Sequence, residues 1–415
     1  MKLTPNKLAM LLAAGSVFVA APAVAQTAES AKASPQAAGY QPKVSSGARK
    51  EIVALQTAVN ANDTANIAAL AQAAKAKAKT KDDQYLIAQL QLKAAIAAKN
   101  EAAMAEQLQT LVGLDVLPAS DANSLRVSLG KIHYNAKAYD QAAAALEPVI
   151  QANPDNVDAI TTLAEVRSSQ GKGAEAVALV QKAIALKKAA GQKPDENWYK
   201  RAVQLSFNAN SPSTPAMARE WVAAYPSATN WRDAIRIYQT TSKLDDAALI
   251  DTMRLSRATG SLKGENDYFR FANTLVVKGY AGEAKAVLDE GFASKAIDKS
   301  SQTFSQLYTL ATSRSQGDRA SLGASAAKAK AAASARASMT TGDAYYGYGD
   351  YQQAVDMYRN ALTKSDVDKD VANLRLGMAL ARSGDKAGAT AALNAVGGSQ
   401  AEIAKLWLAY IAAGA

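Results

Sequence analysis

The chain has 415 residues, a formal net charge of +10 and no cysteine, which excludes disulfides and thiolate metal sites. Alanine is abundant, whereas aromatic residues make up only 6% of the sequence. Alanine is the strongest helix former, and no long stretch alternates apolar and polar residues as half-buried strands do. The composition therefore predicts an all-α protein.

The first residues have the charge and hydropathy pattern of an export signal. Lys2 and Lys7 make the start of the chain positive, and an apolar run follows over residues 8–20. Ala23 and Ala25 then supply the small residues that signal peptidase accepts before its cleavage site.

This pattern predicts a signal peptide over residues 1–25 and a mature chain that begins at Gln26. An N-terminal membrane anchor is the alternative, although the apolar run is shorter than a typical membrane span. No later segment is apolar for long enough to span a bilayer. We therefore expect a periplasmic protein that has no transmembrane segment after the signal is removed.

The positive charge is spread along the chain and does not form a nucleic-acid-binding motif. Lysines alternate with alanines, as in the segment AKAKAKTK at residues 74–81, without interleaved aromatic residues. Solvated helix faces explain this pattern, and weak attraction to anionic envelope polymers is the functional alternative. We expect no nucleic-acid partner.

Helical patterns begin after a polar segment. Residues 26–45 are mostly small and polar and include two prolines, and we expect them to form a disordered lead-in. Beyond them, apolar helical patterns of about 12–16 residues alternate with short turns.

A fixed spacing of small and large residues recurs along these helical patterns. Gly130 is followed in turn by Ala142, Leu146 and Val149. A small residue on each of two antiparallel helices lets the helices cross closely, so this spacing predicts helical hairpins. The same spacing occurs in two further sets: Gly342, Ala354, Tyr358 and Ala361, and Gly377, Ala389, Leu393 and Val396.

This pattern resembles the tetratricopeptide repeat (TPR), a helix–turn–helix unit of about 34 residues. The resemblance implies an all-α, right-handed superhelical solenoid of antiparallel helix pairs, in which the first helix of each pair lines a concave surface. It also implies a scaffold that binds a protein or peptide in that groove. In one hairpin, Gly349 is expected to end the first helix in a left-handed conformation and Asp350 to cap the second helix.

The quality of the repeat varies along the chain and divides it into segments. The last helix is expected to cap the terminal repeat, because the end of a solenoid otherwise exposes its core. After the signal peptide and the lead-in, the predicted segments are degenerate helical repeats at 46–120, TPR repeats at 121–190, irregular helical repeats at 191–260, degenerate TPR-like repeats at 261–336, TPR repeats at 337–398 and a C-terminal capping helix at 399–415.

No catalytic residue, cofactor site or metal site is predicted. His133 is the only histidine, so no second imidazole is available for a metal, and no nucleophile motif accompanies it. Ser128 with Lys131, and Ser383 with Lys386, match a serine–lysine pattern of penicillin-binding enzymes, but the companion motifs are missing. We interpret His133 as a packing residue and the serine–lysine pairs as chance matches.

Two pairs of adjacent carboxylates, Asp82–Asp83 and Asp245–Asp246, lie just before or at predicted helix starts. N-capping and the helix dipole account for both pairs. A glycosidase would need carboxylates on opposite walls of a cleft, an arrangement that sequence spacing does not test.

An aromatic cluster lies in the irregular segment. Trp198, Trp221 and Trp231 lie close together in the sequence, among several tyrosines. Two interpretations remain open from the sequence: a platform for a peptide or glycan, or bulky side chains that fill the gap left by an irregular repeat. The second interpretation is favoured.

The resemblance also selects candidate residues for the binding groove. Their spacings of three and four positions place each set on one helical face. The expected groove residues are Arg336, Met339, Asp343 and Tyr346 in the unit that starts at residue 335, and Val371, Leu374, Met378 and Ala381 in the unit that starts at residue 370. Among them, Met339, Tyr346, Leu374 and Met378 are the candidate binding residues.

The second set of groove residues is apolar, so something must cover it. The C-terminal helix around Trp407 is one candidate cover. An amphipathic helix or extended segment of a partner is the other, with methionine adapting to its shape.

Taken together, these features predict a non-enzymatic periplasmic scaffold or adaptor that binds a protein or peptide of unknown identity, with envelope biogenesis and secretion as candidate processes. One alternative is a cell-wall-associated enzyme or glycan-binding protein built on a helical solenoid. Another alternative is a self-associating structural solenoid.

Overall fold

The computed structural model describes residues 40–414, and the secondary structure of that range is entirely helical. The predicted all-α fold is therefore confirmed. The predicted signal peptide, its cleavage site and most of the lead-in lie outside the described residues. Within residues 40–414, no helix combines the length and the apolar character needed to cross a membrane.

The chain divides into two compact units, Met1–Pro194 (unit 1) and Asp195–Ala415 (unit 2). In the described part of unit 1, consecutive helices pack as four antiparallel pairs, α1–α2, α3–α4, α5–α6 and α7–α8. These helices are α1 Arg49–Asn60, α2 Ile67–Lys77, α3 Lys81–Ala97, α4 Glu101–Gly113, α5 Ala119–Asn135, α6 Tyr139–Ala152, α7 Val157–Ser169 and α8 Gly173–Ala189.

A left-handed residue marks the turn within each pair of unit 1. This conformation ends one helix and lets the chain reverse into the next. The positive φ angles are 53° at Asn62, 52° at Lys99, 60° at Lys137 and 76° at Gly171.

Unit 2 begins with irregularly connected helices and ends with helix pairs. Its helices are α9 Glu196–Asn208, α10 Thr214–Ala224, α11 Ala228–Thr241, α12 Asp246–Ala258, α13 Gly264–Val277, α14 Ala281–Ala293, α15 Gln302–Ala331, α16 Ala335–Gly347, α17 Tyr351–Leu362, α18 Lys369–Ser383, α19 Lys386–Asn394 and α20 Ala401–Ala412, with a 3₁₀-helix at Gly398–Gln400 before α20. Helix pairs α13–α14, α16–α17 and α18–α19 pack closely.

The spacing that predicted the hairpins has a specific structural cause. A Cβ atom added at Gly342 would lie 2.7 Å from Cε1 of Tyr358, and the ring of Tyr358 is fully buried. Gly130 lies against Leu146, and Gly377 against Leu393, in the same way. In each set, the glycine therefore leaves room mainly for the large side chain of the second helix. The alanine four residues before that large side chain is not its main neighbour.

The turn between α16 and α17 bears out one prediction and corrects another. Gly349 has a φ of 81°, as expected for a residue that ends α16 in the left-handed conformation. Asp350 occupies the N-cap position of α17, but its side chain makes no capping hydrogen bond. Its carboxylate binds the guanidinium of Arg319 instead.

The end of the predicted lead-in is held against α3. The side chain of Asp83 accepts hydrogen bonds from the backbone N and Oγ of Ser45, at 2.9 and 2.8 Å, and Asp82 binds Tyr40 and the backbone N of Lys43. The prediction of a disordered segment over residues 26–45 is therefore wrong for residues 40–45. Two consecutive carboxylates that each find partners in this segment hold it in place.

The pKa of Asp83 reflects these contacts. Burial opposes ionisation, but hydrogen bonds from Ser45, Thr80 and Lys79 outweigh it and lower the pKa of this carboxyl. Asp83 is also the third residue of α3 and completes a capping box with Thr80. At the other carboxylate pair, Asp245 caps α12 by accepting from the backbone N of Ala248 at 2.7 Å, as predicted.

The last helix of unit 2 has more contacts than a terminal cap needs. Helix α20 packs against the preceding α18 and α19 and also against α10 and α12, near the start of the unit. Arg219 on α10 binds Glu402 on α20 at 2.7 Å, and the rings of Trp231 and Tyr410 lie 6.4 Å apart. The end of unit 2 thus packs on its beginning, and α20 closes the unit.

Candidate functional site

Three of the four candidate binding residues lie in the interior of unit 2. Leu374 and Met378 are fully buried, Tyr346 is 5% exposed, and Met339 is half-buried. Helix α20, which carries the buried Trp407, packs against α18, the helix of Leu374 and Met378. The cover is therefore contributed by the chain itself, and the binding role of these four residues stays a prediction.

Beside these residues lies a cluster of buried charged side chains, the ionic centre. It consists of Asp251 and Arg254 on α12, Glu283 on α14, Asp343 on α16 and Arg375 on α18. All five are at most 7% exposed. Four helices that are distant in sequence therefore meet at one set of charges.

Arg254 binds all three carboxylates of the ionic centre. Its Nε lies 3.0 and 3.2 Å from the two carboxylate oxygens of Glu283, and its Nη2 donates to Glu283 at 2.7 Å. Its Nη1 donates to Asp251 at 3.0 Å and to Asp343 at 3.4 Å. The guanidinium also lies 4.8 Å from the ring centroid of Tyr346, close enough for a cation–π contact.

Asp343 accepts four hydrogen bonds. The donors are Nη1 of Arg375 at 2.7 Å, the hydroxyl of Tyr358 at 2.8 Å, the hydroxyl of Tyr280 at 3.2 Å and Nη1 of Arg254 at 3.4 Å. Both carboxylate oxygens are thus occupied, and this residue is neither a free base nor an open ligand-binding group.

Three carboxylates and two guanidinium groups leave the ionic centre with a formal charge of −1. Burial raises the pKa of Asp251, although Arg375 and Arg254 act in the opposite direction. Burial and the neighbouring Asp343 raise the pKa of Tyr280 to about 12, so its hydroxyl stays protonated and donates. The surplus negative charge is stabilised by these neutral donors.

The chemistry of the ionic centre is that of a structural joint. Its side chains are buried and bound to one another, and within residues 40–414 no group of three potential ligand side chains is arranged to hold a metal. Replacing one partner in such a buried network leaves an uncompensated charge. The ionic centre therefore fixes α12, α14, α16 and α18 in one arrangement.

The aromatic cluster of the irregular segment is largely core. Trp221 and Trp231 are 5% and 3% exposed, and Tyr199 and Tyr238 are buried beside them, while Trp198 is half-buried. Packing accounts for the four buried rings.

The polar residues singled out in α5 have ordinary partners. His133 is half-buried, and burial lowers its pKa. The hydroxyl of Ser128 donates to the backbone oxygen of Ser124 at 3.1 Å, and Nζ of Lys131 lies 2.8 Å from Asp158. Lys131 and Ser128 therefore form no catalytic pair.

Sequence reasoning did not find the ionic centre. It placed Asp343 on an inward helix face but assigned no partner to it. A signal was present, because Arg375 stands between Leu374 and Leu376 in an otherwise apolar stretch. Its partner Asp251 lies 124 residues away, and no local pattern connects such positions.

One comparison with known proteins supports the predicted helical repeats. Residues 134–193 match the family model of the tetratricopeptide repeat. No curated protein matches the chain.

The solved structures that match the chain have low sequence identity and low TM-scores. They include the MamA RS-1 ArsTM double mutant (12% identity, 48% of this chain and 98% of that one, TM-score 0.31), PilF of Pseudomonas aeruginosa (14%, 63% and 97%, 0.27) and a tetratricopeptide repeat protein of Parabacteroides merdae (11%, 72% and 99%, 0.29). At these TM-scores the likenesses support no functional assignment.

Proposed function

We propose that this chain, in which residues 134–193 match the tetratricopeptide repeat, is a non-enzymatic scaffold or adaptor for protein–protein interaction in the periplasm. Repeats of this family commonly present a surface to protein partners, and the proposal rests on that coarse property. Envelope biogenesis and secretion are the processes in which such an exported scaffold would act.

The observation that carries the proposal is the first-helix face of α5 and α7 in unit 1. Helix α5 packs against α4, α6 and α7, and α7 packs against α5, α6 and α8. All these neighbours belong to the same stack, and no further helix in the described part of unit 1 packs closely against α5 or α7. It contrasts with the corresponding face of α16 and α18, which other helices of unit 2 cover.

This face is polar and partly exposed. Residues at spacings of three and four along each helix share it. Ser124 and Asp158 are exposed, Lys131, Tyr134 and Thr161 are half-buried, and Val127 is buried. The Lys131–Asp158 ion pair joins the two helices across the face. Such a surface suits a peptide segment that offers hydrogen bonds and a few apolar side chains.

Capture of partners from a periplasmic extract tests the proposal. We expect the mature chain to retain a protein partner and Lys131→Glu, which sets a second carboxylate beside Asp158, to lose it. The melting temperature should change little, because an ion pair that is partly exposed to solvent contributes about 1 kcal/mol or less. Lys172→Glu is the matched control, since Lys172 is exposed in the turn before α8.

Two outcomes would overturn the scaffold assignment, and a third would overturn only the assignment of its binding face. Retention of cell-wall glycan without protein would favour the glycan-related alternative. Sedimentation of the pure chain at a multiple of its own mass, with no partner bound, would favour the self-associating solenoid. Equal capture by the wild type and Lys131→Glu would remove the α5–α7 face as the site.

The periplasmic part of the proposal has its own test. We expect N-terminal sequencing of the exported protein to begin at Gln26, directly after Ala25. An intact Met1 on cytoplasmic protein would show that the chain is not exported.

A further inference from the structure

A cleft of about 450 Å³ lies in unit 2 where α20 returns to pack against α10 and α12. This volume is within the range of about 300–1,000 Å³ that is usual for sites of small ligands and short peptide anchors. The lining residues are Pro212, Pro215, Ala216, Tyr238, Ser242, Lys243, Leu244, Gly398, Ser399, Ala401, Glu402 and Lys405.

The cleft has its origin in the irregular turn between α9 and α10. The connection contains Pro212, and Pro215 lies in the first turn of α10. The proline rings fix the backbone and provide no N–H donors, so this wall is stiff and apolar. Gly398, which also lines the cleft, has a φ of 53° and lies just before α20. A segment that departs from the repeat pattern thus forms part of a ligand-sized space.

The charges that line the cleft are mainly positive. Lys243 and Lys405 lie on it, and the one lining carboxylate is Glu402. Glu402 is already engaged, because Nε of Arg219 lies 2.7 Å from one of its oxygens and Nζ of Lys405 lies 3.6 Å from the other. Two lysines therefore line the cleft against one carboxylate that is already bound, which favours an anionic ligand.

We propose that this cleft binds a short extended segment of a protein partner in which an acidic side chain lies between apolar residues. The acidic side chain would pair with Lys243 and Lys405, and the flanking apolar residues would pack on Pro212, Pro215 and Leu244. The hydroxyl of Ser399, which also lines the cleft, supplies a further hydrogen-bond donor. This inference rests on the proposed scaffold function and adds a second, chemically defined contact in unit 2.

Affinity selection from a peptide library tests the cleft. The probe is a library of random heptapeptides that are acetylated and amidated at their ends, so that only side chains carry charge. The targets are the mature full-length chain, the variant Lys243→Glu/Lys405→Glu and the control Lys328→Glu/Lys330→Glu. The control makes the same charge change at two exposed lysines of α15.

We expect the wild type and the control to enrich peptides with Asp or Glu beside proline or aliphatic residues. The cleft variant should bind those peptides about tenfold more weakly, as expected for the loss of two surface ion pairs. Replacing the acidic residue of an enriched peptide by its amide should weaken binding to the wild type by a similar factor. Equal melting temperatures of the three proteins would establish that the variants are folded.

The proposal is overturned if enriched peptides bind the cleft variant as well as the wild type, if their amide versions bind equally well, or if no acidic peptide is enriched over an inert protein. Binding of inorganic phosphate without any peptide enrichment would also overturn the proposal, because it would indicate an anion site and no peptide site. Failure of the scaffold function is distinguishable, since it would appear as a wild-type chain that captures no partner from the extract. Failure of the cleft proposal would appear as a captured partner whose binding is unchanged in the variant Lys243→Glu/Lys405→Glu.

Discussion

At the scale of single residues, glycines that face a large side chain of the next helix organise the helix pairs. Gly130, Gly342 and Gly377 each face a bulky residue of the following helix. The large side chain fills the space that a Cβ would occupy, which lets the helix axes approach. The spacing is visible in the sequence because both residues belong to one hairpin.

Gly342→Leu should destabilise unit 2, because the new side chain would occupy the position of the Tyr358 ring. The expected cost is roughly 1–3 kcal/mol in the free energy of unfolding, measured by urea denaturation with helical content retained in the folded state. Gly317→Leu is the control, since no heavy atom lies within 4 Å of a Cβ added there. Equal midpoints for the two variants would contradict the packing assigned to Gly342.

The single histidine predicts a pH dependence. Burial lowers the pKa of His133 below its usual value of about 6.5. The unfolded chain then binds a proton more readily than the folded chain, so stability is complete above pH 6.5 and decreases as the pH falls through the folded-state pKa. Urea denaturation at pH 7.5, 6.5 and 5.5 should show this decrease, and His133→Gln should reduce it. A variant with the same pH profile as the wild type would exclude His133 as the cause.

The ionic centre predicts that one substitution is harmful and a second one compensates. Arg254→Met would leave three buried carboxylates with one guanidinium, at an expected cost of about 3–5 kcal/mol. Adding Glu283→Gln removes a carboxylate that has lost its partner, so the double variant should be more stable than Arg254→Met alone. Denaturant unfolding of the wild type, Arg254→Met, Glu283→Gln and the double variant measures the coupling energy between the two residues.

Arg319→Met provides the comparison at the surface. It breaks the exposed Arg319–Asp350 pair and should cost less than about 1 kcal/mol. If Arg254→Met cost no more than this control, the buried network would not hold the helices of unit 2 together.

At the scale of elements, the predicted degenerate TPR-like repeats of residues 261–336 include one long helix in place of a two-helix unit. This segment is the 30-residue helix α15, Gln302–Ala331. The segment is rich in alanine, and its glycines at 317 and 323 have negative φ and open surroundings. Nothing in it forces the left-handed turn that divides the neighbouring helix pairs, so the helix continues.

The contacts of α20 predict that a substitution in this helix will destabilise the helices packed against it. Trp407 is fully buried, and Trp407→Ala should cost about 3–5 kcal/mol through lost burial and the cavity left behind. Hydrogen exchange should increase in α18, α19 and α20 and also in α10 and α12, which α20 contacts. Lys405→Ala, at an exposed position of the same helix, should leave exchange unchanged. Increased exchange confined to α18–α20 would show that α20 is only a terminal cap.

At the scale of the whole molecule, the sequence by itself determined the helical class, the hairpins and several of their turns. These features follow from local chemistry, namely alanine propensity, left-handed glycine and the fixed spacing between a glycine and a large residue within one hairpin. Only the tertiary structure decided what covers the inward faces of α16 and α18. Arg254 is 89 residues from Asp343, and Arg219 is 183 residues from Glu402. Contacts across such separations depend on how the irregular helices and α20 return to the repeats, and no periodic pattern in the sequence records that path.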